Sequence, residues 1–147
     1  MIDKKFNEKE IIIINCISKV LTDGGFSLVD LEIDDEILIS IFVYNKLDNN
    51  IEKLSKLNKN IYPLLEKLDI LKDDFSLEVS SPGIYRNIKR YEEFNIFNGK
   101  EIKLSLNDKS IITGIINKYE NNILDINVLG KFLKINIEDI KSAGLNG

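Results

Sequence analysis

The sequence predicts an α+β fold, in which an N-terminal layer domain with the element order αββαβ precedes an all-β small barrel. Three observations support this prediction. A chain of 147 residues holds one average domain or two small ones, and its hydrophobic content of 44% is enough for buried cores. Beyond Gly99 the hydrophobic pattern changes from helix-containing to strand-only. We therefore place the N-terminal domain at residues 1–90 and the barrel at residues 91–147.

The first helix and the first hairpin follow from the spacing of apolar residues. Apolar residues recur at helical intervals over Glu8–Asp23, Asn7 is a suitable N-cap for that helix, and two glycines end it. Residues 29–33 and 37–43 then show the alternation of strands, with acidic turn residues between them. This pattern predicts an antiparallel hairpin whose second strand, apolar on both faces, is central in its sheet.

A second helix and a third strand complete the predicted N-terminal domain. After the helix-starting run Asp48-Asn49-Asn50, an amphipathic pattern extends from Ile51 to Leu68. Pro63 lies inside this pattern, and we expect it to kink the helix or divide it near residues 60–62, because proline lacks the amide hydrogen that a helix uses. Residues 75–79 alternate between apolar and polar side chains and predict a strand.

Short strands separated by polar turns make up the C-terminal part. No helical pattern interrupts them, and four or five such strands are typical of a small β-barrel. The predicted strands cover residues 102–106, 111–118, 123–128 and 132–135, and apolar residues at 137, 140 and 143 close the series.

The sequence lacks residues that several kinds of catalytic and metal site require. The chain has no histidine, which excludes a Ser-His-Asp triad and histidine-ligated metals. Its single cysteine, Cys16, lies in an apolar run and is interpreted as a buried apolar side chain. A phosphate loop of the GxxxxGK[ST] type is missing as well. We therefore expect no catalytic site, no metal and no cofactor. The sequence shows neither a signal peptide nor a spanning helix, and it therefore predicts a cytoplasmic protein without membrane contact.

The net charge of −4 conceals an asymmetry. Residues 1–80 carry ten basic and sixteen acidic side chains, whereas residues 81–147 carry ten and eight. Against eighteen lysines the chain has two arginines, Arg86 and Arg90, which lie close together. Arginine offers phosphate or carboxylate a planar fork that lysine cannot copy. The arginines therefore mark the connecting segment, Ser80 to Asn98, as the place to look for a site.

The run Leu77–Arg86 reads Leu-Glu-Val-Ser-Ser-Pro-Gly-Ile-Tyr-Arg. It resembles the signature of the bacterial ribosome maturation factor RimP family, in which a strand ending in a Leu-Glu-Val-Ser-Ser-Pro-Gly-like motif precedes a hydrophobic residue and an arginine. Tyr85 and Asn87 depart from that pattern, which commonly has aspartate and proline there. The resemblance continues where the family has an aromatic-containing helix and a Gly-Lys pair, here Phe94, Phe97, Gly99 and Lys100.

The resemblance implies a non-enzymatic factor for assembly of the small ribosomal subunit, with an SH3-like or Sm-like barrel as its C-terminal domain. The implied partner is the immature small subunit, contacted near small-subunit ribosomal protein twelve and the adjacent rRNA. We expect a monomer, in which the acidic half meets a basic ribosomal protein while the basic half approaches rRNA.

Nine residues form the predicted binding site. Proline fixes φ and glycine permits positive φ, so Ser-Ser-Pro-Gly makes a sharp turn, and the basic residues beyond it suit phosphates or an acidic protein patch. If residues 86–97 are helical, the three basic residues from 86 to 90 share one face. Lys100 and Lys103, two lysines of the predicted barrel that lie near the connecting segment, complete the predicted site. The set is Ser80, Ser81, Pro82, Gly83, Arg86, Lys89, Arg90, Lys100 and Lys103.

The sequence is compatible with three other interpretations. Arg86 can instead pair with an acid such as Glu78 or Glu92 and fix the angle between the domains. The chain can be a stand-alone Sm-like RNA-binding regulator, for which we expect a hexameric or heptameric ring formed through barrel edges. It can also be an enzyme that uses a metal held by the acidic turn Asp34-Asp35-Glu36.

Overall fold

The computed structural model of the chain describes residues 2–147, which divide by their contacts into two units. The first unit comprises residues 6–82, and the second comprises residues 2–5 together with 83–147. Residues 83–90 thus group with the second unit by contact, while a domain boundary after residue 90 stays a prediction. Over the described residues, no helix is both long and apolar enough to cross a membrane.

The first unit is a layer of helices on a three-stranded sheet. Its elements, in the predicted order, are α1 (Glu8–Asp23), β1 (Ser27–Asp34), β2 (Leu38–Tyr44), α2 (Ile51–Glu66) and β3 (Ser76–Ser80). β1 pairs with β2 antiparallel and β3 pairs with β2 parallel, so β2 is central, as predicted. A parallel pair needs a crossover connection, which α2 supplies.

A capping box sets the start of α1. The Asn7 side chain accepts a hydrogen bond from the amide of Glu10 at 2.9 Å, and the Glu10 carboxylate accepts one from the amide of Asn7 at 2.8 Å. Ile13 and Ile17, about one turn apart, are fully buried. They join buried residues of β1, β2 and α2 in one apolar core, which holds the layers together.

α2 continues as one helix across Pro63, so the division expected near residues 60–62 does not occur. Pro63 lies in the last turn of a helix that ends at Glu66, where the missing amide hydrogen removes one internal hydrogen bond. Ile61 and Leu65, on either side of the proline, are fully buried. Their burial stabilises the helical path through the proline.

The second unit is a five-stranded antiparallel sheet preceded by a one-turn helix. The strand order is β7-β6-β5-β4-β8, so the first strand of the unit lies between the second and the last. The predicted α+β fold class, with an all-β C-terminal part, is confirmed. The elements are α3 (Glu93–Ile96), β4 (Glu101–Leu106), β5 (Ile111–Glu120), β6 (Ile123–Val128), β7 (Lys131–Asn136), a 3-10 turn (Ile137–Asp139) and β8 (Ile140–Leu145).

Tight turns and one glycine let these strands follow one another closely. Residues with positive φ occupy the turns, among them Lys109, Asn122 and Gly130. At Gly114 a Cβ atom would lie 2.8 Å from the carbonyl oxygen of Asn127, closer than side chains approach backbone in real structures. Glycine is therefore required where β5 approaches β6.

Candidate functional site

Arg86 and Glu93 form a buried ion pair in the second unit. The Arg86 Nε donates to Glu93 Oε1 at 2.9 Å, and its Nη2 donates to Oε2 at 3.1 Å, so the guanidinium fork meets both carboxylate oxygens. The Arg86 side chain is 9% exposed and that of Glu93 is 0% exposed. An unpaired carboxylate at this depth is costly, and the guanidinium compensates its charge.

Glu93 also fixes the backbone of the segment that precedes it. Its Oε2 accepts hydrogen bonds from the amides of Lys89 and Arg90, both at 3.0 Å. One carboxylate therefore gathers four donors from residues 86–90. That segment is not helical, because α3 begins only at Glu93, so the shared helical face expected for Arg86, Lys89 and Arg90 does not exist.

The acid that forms the buried pair with Arg86 is Glu93, which the sequence analysis did not name. Glu78 is exposed, and the Glu92 side chain is 72% exposed. Glu93, adjacent to Glu92, lies one helical turn before Phe97, and both of those side chains are buried. The spacing of four residues between Glu93 and Phe97 was the sequence signal that the Glu93 carboxylate faces the same buried side of the helix as the phenylalanine.

Residues 84–88 pair with the outer edge of β8. The amide of Leu145 donates to the carbonyl of Arg86 at 2.8 Å, and Asn87 forms an antiparallel bridge with Gly144. β4 occupies the opposite edge of β8. Both edges of this strand are therefore paired within the chain.

The same segment builds one wall of a groove. The Arg86 side chain is buried against Glu93, while Tyr85, Asn87, Ile88 and Lys89 line a groove of about 810 Å³ on the second unit. The Tyr85 side chain contributes an aromatic ring that is largely exposed, since the residue is 69% accessible. This wall therefore presents an aromatic ring, an amide and an ammonium group in sequence.

The floor of the groove comes from β4 and β8. Lys103 is paired with Gly144 across the two strands, and Ser105 is paired with Ser142. Apart from the lysine, these side chains are small, while the larger Ile111 and Leu145 also line the groove. Lys4, from the N-terminal segment of the same unit, also lines the groove.

The structure brings together only part of the predicted set. Lys89 and Lys103 line one groove. Arg90 is 15% exposed and its Nη1 lies 3.9 Å from the Glu92 carboxylate. Lys100 is exposed and, among the described residues, does not line this groove.

The Ser-Ser-Pro-Gly run differs from its expected geometry at the glycine. Ser80 ends β3, and Ser81 and Pro82 close the first unit. Gly83 has a φ outside the left-handed region, and a Cβ atom there would meet open space. The expectation of a positive φ at Gly83 is therefore wrong, and the turn is made by a hydrogen bond from the amide of Arg86 to the carbonyl of Gly83, 3.1 Å long.

The acidic turn between β1 and β2 places carboxylates beside lysines. The Glu36 carboxylate lies 2.8 Å from Nζ of Lys9, and the Asp35 carboxylate lies 3.3 Å from Nζ of Lys72. Both pairs lie within the first unit and are solvent-exposed. In the part of the chain that the structure describes, no three acidic or cysteine side chains are grouped as metal ligands would be.

Aromatic contacts anchor α3 on the sheet. The Phe94 and Tyr119 rings meet edge to face at 5.9 Å, and Tyr91 stacks on Tyr119 at 6.2 Å. The Asn95 side chain exchanges two hydrogen bonds with the backbone of Tyr119, both 2.9 Å long. Burial raises the pKa of Tyr119, and the nearby Glu92 carboxylate raises it further.

Similarity to known proteins covers both units. A solved structure of the pleiotropic translational regulator Hfq has a TM-score of 0.33 and 23% identity over 36% of this chain and 87% of that one, too weak a likeness to support an argument. The RimP N-terminal domain family matches residues 16–85. A ribosome maturation factor RimP of Rickettsia prowazekii (strain Madrid E) is 35% identical over 108 residues, which cover 69% of this chain and 89% of that protein.

A second relative matches along nearly the whole length. The ribosome maturation factor RimP of Borrelia turicatae (strain 91E135) is 36% identical over 135 residues, which cover 90% of this chain and 92% of that protein. The family resemblance read from the run Leu77–Arg86 is thereby confirmed. With this identity extending over both units, the chain belongs to the ribosome maturation factor RimP family.

Proposed function

We propose that the protein is a non-enzymatic assembly factor of the small ribosomal subunit, which acts as a monomer in the cytoplasm. It binds immature small subunits near small-subunit ribosomal protein twelve and the adjacent rRNA, promotes correct local folding there and then leaves. The observation that carries this proposal is the family membership, which extends over both units.

The unequal charge of the two units supports a mixed protein and RNA target. Residues 6–82 carry eight basic against fifteen acidic side chains, whereas residues 2–5 and 83–147 together carry twelve basic against nine acidic ones. Opposite potentials on two parts of one chain favour partners of opposite charge. The first unit therefore contacts a basic ribosomal protein, and the second contacts rRNA phosphates.

The covered edge of β8 supports an assembly factor over a ring-forming Sm-like regulator. A ring of identical copies needs two complementary surfaces on each copy, here the two end strands of the sheet. Residues 84–88 already occupy the free side of β8, which leaves β7 as the end strand open to another chain. One open edge suits a single partner and not a closed ring.

Co-sedimentation of the full-length protein with purified small subunits tests this function. We expect it to migrate with immature subunits and not with finished ones, and its binding to weaken as salt increases, because exposed charge pairs are screened. Failure to migrate with immature subunits, or equal binding to finished subunits, would refute the proposal.

A further inference from the structure

We propose that the groove lined by Tyr85, Lys89 and Lys103 is a binding site for single-stranded RNA. This inference rests on the proposed function and deepens it, because it names the RNA-binding surface of the second unit. The groove has a volume of about 810 Å³, large enough for a nucleotide and part of its neighbours.

The charges of the lining favour a polyanion. Among the described residues, the groove is lined by three lysines, Lys4, Lys89 and Lys103, and by one carboxylate, that of Asp3. Lys4 and Lys89 belong to adjoining backbone segments, since the amide of Lys4 donates to the carbonyl of Lys89 at 3.0 Å. Lys103 stands on β4, across β8 from that wall. Ammonium groups on two sides of the floor suit successive phosphates of one strand.

The exposed ring of Tyr85 distinguishes an unpaired nucleic-acid strand from other polyanions. Single-stranded bases stack on exposed aromatic side chains, whereas bases in a duplex are already stacked on one another. Tyr85 is 69% exposed and lies two residues from Asn87, whose amide has groups suited to a base edge. An acidic peptide would use the lysines and leave the ring without a partner.

Gly144 and its neighbours Ser142 and Ala143 line the part of the floor beside Asn87. Gly144 lies between Asn87 and Lys103 in the row of paired residues that crosses the floor. A Cβ atom at Gly144 would lie 3.3 Å from Oδ1 of Asn87, so even a methyl group would crowd that amide.

The buried Arg86–Glu93 pair holds the groove wall in place before RNA binds. Glu93 accepts hydrogen bonds from Arg86 and from the amide of Lys89, so the segment that carries Tyr85 and Lys89 is fixed from its buried side. A preformed wall lowers the entropic cost of binding. Arg86 is thus a positioning residue in this proposal, and the lysines and Tyr85 are the contacting residues.

Fluorescence anisotropy with the full chain and a labelled single-stranded oligoribonucleotide of about twelve nucleotides tests the site. We expect Tyr85→Leu to weaken binding about tenfold, as loss of one stacked base does. The double variant Lys89→Gln, Lys103→Gln should reduce the slope of log Kd against log salt by about 1.4, or about 0.7 for each phosphate contact. Lys109→Gln, Lys131→Gln removes the same charge from exposed positions outside the lining and should leave binding nearly unchanged.

Four results would overturn the proposal. They are equal weakening by the groove and control variants, preference for duplex RNA of the same sequence, tighter binding of a poly-glutamate peptide of matched charge through the same lysines, and absence of RNA binding by the intact protein. Any of these can occur while the protein still co-sediments with immature subunits, so the groove and the assembly function fail separately. Thermal melting of each variant verifies that it is folded.

Discussion

Arg86 and Glu93 lie seven residues apart and join in a two-pronged ion pair, in which the carboxylate is fully buried. The same carboxylate binds the amides of Lys89 and Arg90. The arginine of the signature run therefore fixes residues 86–90 from their buried side, while Tyr85, Asn87, Ile88 and Lys89 line the groove.

Arg86→Ala should lower the free energy of unfolding by about 3–5 kcal/mol, because it leaves the Glu93 carboxylate buried without its countercharge. That is a large part of the stability of an ordinary domain. Urea unfolding monitored by circular dichroism measures the change. The dependence of the free energy of unfolding on urea concentration should be the same in both proteins, so that the shift in midpoint reports stability.

Two further variants distinguish the effect of losing the ion pair on stability from the effect of losing side-chain volume. Arg86→Met combined with Glu93→Leu should be less destabilising than Arg86→Ala alone, because no uncompensated charge stays buried. Lys109→Ala, at an exposed position, should change stability by less than about 0.5 kcal/mol. A wild-type unfolding midpoint for Arg86→Ala would show that the pair is not structural.

Gly114→Ala should destabilise the protein by about 1–3 kcal/mol, because the new methyl group would lie 2.8 Å from the Asn127 carbonyl oxygen and 2.9 Å from Cγ2 of Val128. The matched control is Gly83→Ala, where the methyl group meets open space and φ is not positive. Differential scanning calorimetry of both variants measures the contrast. Equal melting temperatures for the two variants would contradict the close approach of β5 to β6.

Tyr119 should make stability fall at alkaline pH. Its pKa is raised above the ordinary 10.0 by burial and by Glu92 and Tyr91. Below pH 10 the phenol is protonated in both folded and unfolded states. As pH rises further, the unfolded chain loses its proton first, so the free energy of unfolding decreases until the folded-state pKa has been passed.

Alkaline titration of tyrosinate absorbance, compared between the wild type and Tyr119→Phe, isolates this group. The difference curve should have its midpoint above 10.0, and the variant should lose less stability between pH 10 and the end of the titration. A midpoint at or below 10.0 would mean that the aromatic cluster does not shield the phenol.

The chain should be a monomer of about 16.9 kDa in size-exclusion chromatography with light scattering. Residues 84–88 pair along β8 and leave one end strand available, which does not close a ring. A concentration series distinguishes weak self-association from a stable assembly. A stable hexamer or heptamer would instead favour the Sm-like regulator.

Local patterns were sufficient to predict most of the fold. Asn7 and the spacing over Glu8–Asp23 predicted α1 to the residue, because capping and amphipathic spacing are local properties. The division expected near Pro63 does not occur, because the burial of Ile61 and Leu65 stabilises a continuous helix. Packing of that kind depends on residues distant in sequence, which a local pattern does not contain.

The candidate site was less predictable than the fold. Two predicted lysines, Lys89 and Lys103, line the groove, whereas the sequence did not indicate Glu93. Glu93 carries the same charge as its neighbour Glu92, and only tertiary packing separates a buried carboxylate from an exposed one. Lys4 joins the groove from the other end of the chain. The order of residues alone does not bring it beside Lys89.

Cryo-electron microscopy of the full-length protein on an immature small subunit tests the central proposal most directly. We predict density for the protein beside small-subunit ribosomal protein twelve, with the groove of Tyr85, Lys89 and Lys103 facing an unpaired rRNA strand. Density for the protein at a different place on the subunit, or with this groove turned to solvent, would contradict the account.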